Sequence, residues 1–129
     1  LHPGDVAMRE REAELLRVKL DELMRISPRA LVLGDFNCDL DERLHTDLKE
    51  LGFVNAMEAV GGGVQLTMDT VGVGQWRIDH IYASAVLAPG LQSAEVVRSP
   101  GFRHDGPQVS GLWVHSDHLP VAAELAFSV

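Results

Sequence analysis

Residues 30–37 read Ala30-Leu31-Val32-Leu33-Gly34-Asp35-Phe36-Asn37. A short unbroken apolar run that stops at a glycine and gives way to polar residues describes a buried strand opening into a loop. A carboxylate, Asp35, and an amide, Asn37, therefore stand at the end of a rigid element, where catalytic groups are commonly carried. The pattern recurs twice. Arg77-Ile78-Asp79-His80-Ile81-Tyr82-Ala83 alternates as a strand does, with Ile78 and His80 read on opposite faces. Ser116-Asp117-His118-Leu119-Pro120 leads into the apolar segment from Val121 to Phe127. If successive strands present the same end, Asp35, Asp79 and Asp117 reach one edge of a sheet.

Outward from these three points, the chain alternates helix and strand. Asp5 to Ile26 reads as a helix with Asp5 as its N-cap, and Ala13, Leu16, Leu20, Leu23 and Met24 form one apolar stripe. Arg9, Glu10, Glu14, Arg17, Asp21 and Arg25 are read as its solvated face. Pro28 closes the helix, because the residue before proline avoids helical dihedrals. Arg43 to Leu51 reads as a second helix ended by Gly52, with Asp39, Asp41 and Glu42 as a solvated turn and caps before it. Phe53 to Val60 has no clear period, and Gly61-Gly62-Gly63 is loop. Leu91 to Val97, Leu112 to His115 and Val121 to Phe127 read as further strands, with a long loop from Ser99 to Ser110. That loop is the local candidate for a specificity element. The mixture places the chain in the α/β (α+β) class.

The chain has 129 residues, one domain's worth at most, with 46% hydrophobic and 23% charged residues, the proportions of an ordinary globular protein. Its formal charge is −8, and lysine occurs only at positions 19 and 49, which argues against a broad basic face for nucleic acid. The lone Cys38 excludes an internal disulfide and reads as a small buried filler. No apolar run nears the roughly 20 residues that span a bilayer. The chain enters directly at Leu1-His2-Pro3-Gly4, which reads as a piece of a longer or processed protein.

The residue types at the three strand ends suit metal-assisted hydrolysis of a phosphate ester. The ester is anionic, and a divalent cation neutralises charge as attack proceeds. The carboxylate of Asp117 suits Mg²⁺, or Mn²⁺ in its place. Asp35 can align and deprotonate an attacking water. Asn37 can bond a phosphoryl oxygen without adding negative charge. A protonated His118 can stabilise the transition state, with Asp79 holding the imidazolium by a hydrogen bond.

Gly34-Asp35-Phe36-Asn37, Arg77-Ile78-Asp79-His80-Ile81-Tyr82 and Ser116-Asp117-His118-Leu119-Pro120-Val121, in that order over about residues 1–127, resemble the endonuclease/exonuclease/phosphatase superfamily. That superfamily includes deoxyribonuclease I-like and exonuclease III-like nucleases, neutral sphingomyelinases, deadenylases and inositol polyphosphate 5-phosphatases. The resemblance implies catalytic roles for Asp35, Asn37, Asp79 and His118, contact of Asn37 and His118 with substrate, and metal ligation by Asp117. It also implies a further active-site histidine, expected just upstream of Leu1, with His2 as the alternative. Members run to roughly twice this length as four-layer α/β/β/α sandwiches, and an asparagine and a metal-binding glutamate of their N-terminal half have no match here. The resemblance thus implies that residues 1–129 are the C-terminal half, one mixed sheet with helices on one face. The other face is then apolar and pairs with the N-terminal half or a second copy. Nucleic acid is the family's commonest substrate class, with a lipid head group or small phosphate ester as the alternative; a non-catalytic assembly module is the competing reading.

Other motif readings fail on chemistry. Asp35, Asn37, Asp39 and Asp41 mimic a calcium loop, but Leu40 replaces its glycine and Thr46 its bidentate glutamate. His115-Ser116-Asp117-His118 lacks the first histidine of a zinc run, where Trp113 stands. Ser116-Asp117-His118 cannot act as a hydrolytic triad, since adjacent residues cannot adopt the relay geometry. His45 and His104 are read as surface residues, His80 as solvent-facing or packed outside the site, and Trp76 and Trp113 as packing residues. Trp76 could also line the substrate cleft, and Arg77 and Arg103 could touch substrate phosphate.

Overall fold

The computed structural model describes residues 1–70, 74–98 and 116–128. The loop from Ser99 to Ser110 and the strand expected at Leu112 to His115, with Arg103, His104 and Trp113, lie outside the described residues. The elements run α1 (Val6–Ile26), β1 (Leu31–Asp35), α2 (Arg43–Glu50), β2 (Val54–Asn55), α3 (Ala56–Val60), β3 (Met68–Thr70), β4 (Gly74–Trp76), β5 (Asp79–Ala83), a 3₁₀ turn (Ala88–Gly90), β6 (Leu91–Val96) and β7 (Val121–Leu125). The α/β class is as the sequence predicts. The described ladders are all antiparallel and fall into three groups: β1-β5-β2, the hairpin β3-β4, and β6-β7. This is a finer division than the single mixed sheet expected.

Local chemistry explains the boundaries. Asp5 caps α1 through its side chain, which accepts from the Met8 amide, and Ser27 ends it ahead of Pro28 in extended conformation. Beyond α2, Gly52 takes φ +88°, and a side chain there would be strained. Asn55 turns the ambiguous stretch into helix: its side chain accepts from the amides of Met57 and Glu58.

Helices α1 and α2 pack on each other and on the inner face of the β1-β5-β2 sheet, where Ala13, Leu20, Phe36, Leu44, Leu48 and Tyr82 form the core. Truncating a fully buried side chain such as Leu48 costs on the order of 2–5 kcal/mol. Three expectations need correcting. Leu23 is exposed and off the buried stripe, because the core-facing arc of α1 runs through Ala13 and Leu20. Ile78 and His80 share the inner face with Tyr82, as the two-residue period of a strand requires, and all three are buried. Far from lying at the surface, His45 is 1% exposed. Its Nδ1 lies 2.7 Å from the Tyr82 hydroxyl, a partner supplied by a strand 37 residues away.

The outer face is different. Leu31, Leu33 and Asp35 alternate outward, opposite Ala83, Ile81 and Asp79 in register. Leu31 is 48% and Leu33 62% exposed. An apolar strip thus runs along the sheet and ends at two carboxylates.

Candidate active site

The pairing of β1 with β5 places Asp35 opposite Asp79 on one rung, both on the outer face. His118 arrives from the far end of the chain. Its backbone bridges to Met68, Leu119 N donates to Thr67 O at 2.7 Å, and Asp69 N donates to Asp117 O at 3.0 Å. These bonds clip the 116–119 turn to Thr67 and the first two residues of β3. The His118 amide, donating to Ser116 Oγ at 3.0 Å, tightens the turn further.

His118 Nδ1 lies 2.8 Å from Asp79 Oδ2. A carboxylate only accepts, so Nδ1 carries the proton and Nε2 is left to face Asp35, 3.9 Å away at Oδ2. The same Asp79 Oδ2 accepts from the Thr67 hydroxyl at 2.6 Å. Thr67 Oγ1 in turn accepts from the amides of Ile78 at 3.3 Å and Asp79 at 3.1 Å. Thr67 is therefore a site residue that sequence reading missed. An isolated threonine in a loop carries no pattern, and only the approach of residue 67 to β5 gives it a role.

Asp35, Asp79 and His118 form a group whose ligand-type atoms all lie within 4.8 Å of one another. Asn37 sits at the rim. Its amide donates to Asp35 Oδ1 at 2.9 Å, and its side-chain Nδ2 donates to Leu1 O at 2.8 Å. Asp117 is next to His118 in the chain but is not in the convergent trio; its carbonyl holds Asp69. His2 turns inward on its own segment, its Nδ1 accepting from Gly4 N at 3.2 Å. Trp76 is half-buried and Arg77 exposed, and both line a cleft of about 550 Å³ with Gln75 and Leu40.

Behind the site lies a buried polar layer. His80 Nε2 donates to Arg77 O at 2.9 Å, and its Nδ1 faces the Asn55 amide nitrogen at 3.3 Å. Its ring meets that of His45 edge-on at 4.6 Å. Burial lowers the pKa of both imidazoles, that of His45 to about 4 with His80 adding to the effect. Both therefore stay neutral and hold the sheet, and His80 turns away from the carboxylates of the outer face.

The donor set fits a hard divalent cation in part. Asp79 is engaged by Thr67 and His118 through Oδ2, and Asp35 by the Asn37 backbone amide through Oδ1, so each carboxylate of the trio keeps one oxygen with no hydrogen bond from the described residues. Mg²⁺ is commonly held by one or two carboxylates together with waters and substrate phosphate.

Two carboxylates and an imidazole thus converge at the end of an antiparallel ladder, and comparison with known proteins gives the family. Residues 1–118 match the model of the Endonuclease/Exonuclease/phosphatase family, and the chain belongs to it. Its fold resembles that of a conserved Enterococcus faecalis protein of unknown function, with TM-score 0.70 at 20% identity, over 99% of this chain and 48% of that one. It also resembles the 3′-5′ exonuclease NExo from Neisseria meningitidis, with TM-score 0.63 at 24% identity, over 89% of this chain and 50% of that one. The Neisseria 3′ phosphatase NExo bound to a product DNA hairpin gives TM-score 0.62 at 24% identity, with the same coverage. The chain thus spans about half the length of these structures. No curated protein matches it.

Proposed function

We propose that residues 1–129 form the C-terminal half of a metal-dependent phosphoester hydrolase domain. The carrying observation is the Asp79–His118 hydrogen bond of 2.8 Å facing Asp35 across the outer end of the sheet. Asp35 aligns the attacking water and accepts its proton. Asn37 and, in its imidazolium form, His118 through Nε2–H hold the phosphoryl oxygens, and Asp79 fixes the orientation of the ring through Nδ1–H. Asp117 is the carboxylate offered to Mg²⁺ or Mn²⁺, which when bound would neutralise charge on the phosphoryl group. Attack is in line, the P–O bond to the leaving group breaks as the water oxygen bonds to phosphorus, and no covalent enzyme intermediate forms.

The substrate we favour is nucleic acid, on the likeness to the NExo structures, one of which is bound to DNA. The charge of −8 confines any cationic contact to local points such as Arg77 and Arg98. Arg98 borders a cleft of about 340 Å³ with Thr67 and Leu119, beside the triad. The test is hydrolysis of a generic phosphodiester and of a 3′-phosphorylated oligonucleotide by the full-length protein, with Mg²⁺ and with EDTA. Metal-dependent turnover that disappears in His118→Ala supports the proposal; turnover that persists in that variant refutes it.

A second reading is favoured by the exposed Leu31 and Leu33: the isolated chain acts as an assembly unit, pairing through its outer sheet face with a complementary half or a second copy. Inactivity of residues 1–129 alone, restored by the remaining half of the domain, joins the two readings. Inactivity of the full-length protein leaves only the second.

A further inference from the structure

Arg9 does not join the solvated face of α1; it is 8% exposed. Its guanidinium makes a two-point bond to Glu42, Nε to Oε1 at 2.8 Å and Nη2 to Oε2 at 3.0 Å. Its remaining arm, Nη1, donates to His2 O at 3.1 Å. Glu42, expected as a solvated cap, makes no side-chain cap bond; its Oε2 instead also accepts from Asp39 N at 3.0 Å. The pair therefore joins three pieces of chain: the start of α1, the loop that follows β1, and the segment at Leu1 and His2. On the far side of that segment, Leu1 O accepts the Asn37 side chain.

Asn37 has φ +50°, the left-handed region, alone in this among the described non-glycine residues. A non-glycine residue there is held by its surroundings. We propose that the buried Arg9–Glu42 pair is the positioning device for Asn37, clamping the Leu1–His2 segment onto the 35–42 loop. One N–H of the amide is then fixed on Leu1, leaving the other N–H and Oδ1 to meet a ligand. The planar fork of an arginine–carboxylate pair sets angle as well as distance, which a lysine at position 9 cannot reproduce. The positioning stands on the structure alone; its catalytic consequence rests on the function proposed above.

The test compares Arg9→Lys and Glu42→Gln with the exposed control Glu10→Gln in the full-length protein. Amide NMR reads the Asn37 side-chain NH₂ group, and kinetics read kcat and KM. Expected in both variants is a shift of the Asn37 NH₂ signals and faster solvent exchange, with the rest of the core spectrum retained. The accompanying kinetic change is at least a tenfold fall in kcat with little change in KM, and Glu10→Gln changes neither. Should Glu42→Gln unfold, Glu42→Asp, which keeps the charge but shortens the arm, carries the same readout. A folded Arg9→Lys or Glu42→Asp protein with unmoved Asn37 NH₂ signals overturns the proposal. A wild-type protein that hydrolyses nothing refutes the proposed function, while the NMR arm still decides the clamp.

Discussion

Thr67 Oγ1 stands 2.6 Å from Asp79 Oδ2, the oxygen that His118 Nδ1 meets at 2.8 Å. One carboxylate oxygen thus receives a hydroxyl and an imidazole, and the hydroxyl itself is aimed by two backbone amides of the neighbouring strand. The orientation of His118 is thereby referred back to β5 as well as to its own turn.

Replacing Thr67 by valine keeps its shape and removes these bonds. The Ile78 and Asp79 amides and the Asp79 carboxylate each lose a partner, and stability should fall by about 1–3 kcal/mol. Thr67→Ser keeps the hydroxyl and should lose less. Urea denaturation of the two variants checks this; equal losses would show that the methyl group, not the hydroxyl, matters.

His45 yields a pH prediction. Its pKa falls from 6.5 to about 4 on folding, chiefly through burial. Between those values the unfolded chain binds more protons than the folded one. The contribution of neutral His45 is therefore fully present above pH 6.5 and is lost as pH falls towards 4, up to about 3 kcal/mol. His80, also lowered, acts in the same direction. Denaturation midpoints at pH 7 and pH 5 should differ in the wild type, and His45→Phe should narrow the gap. An unchanged gap would remove His45 from the account.

Cys38 is buried and its thiol is pushed up to about 12, first by desolvation and then by Glu42. Its thiolate is scarce at neutral pH. Ellman's reagent should label the native protein at least a hundredfold more slowly than the protein in denaturant. Rapid labelling without denaturant would mean that the loop after β1 opens readily.

Leu33 lies outward and 62% exposed, so Leu33→Gln should leave the stability of the isolated 129-residue chain within about 0.5 kcal/mol. It should, however, weaken any association made through the outer face. Gel filtration at several concentrations, alone and with the complementary half, reads both effects. A large loss of monomer stability would mean that Leu33 is covered within the chain itself.

The legible parts of this molecule are those governed by local rules. The apolar run at Ala30–Leu33 announced β1, Asp5 and Pro28 bounded α1, and Gly52 ended α2, because caps, proline and glycine act on their nearest neighbours. Family motifs picked out Asp35, Asp79 and His118, and these side chains do converge. The β3-β4 hairpin escaped notice, since Met68–Thr70 and Gly74–Trp76 are too short to show a period. Arg9, Glu42 and His45 were misplaced for a common reason: each is polar, and a polar residue reads as exposed until its buried partner is known. Those partners are Glu42 for Arg9 and Tyr82 for His45.

By itself the sequence determined which residue types stand at the strand ends and where helices begin and stop. Their spacing along the chain follows from short-range sterics and hydrogen bonding. Tertiary structure alone decided that residues 35, 79 and 118 meet, that Thr67 joins them, and that one side of the sheet keeps leucines in the open. Such contacts depend on the register between strands far apart in the chain, which no local pattern encodes.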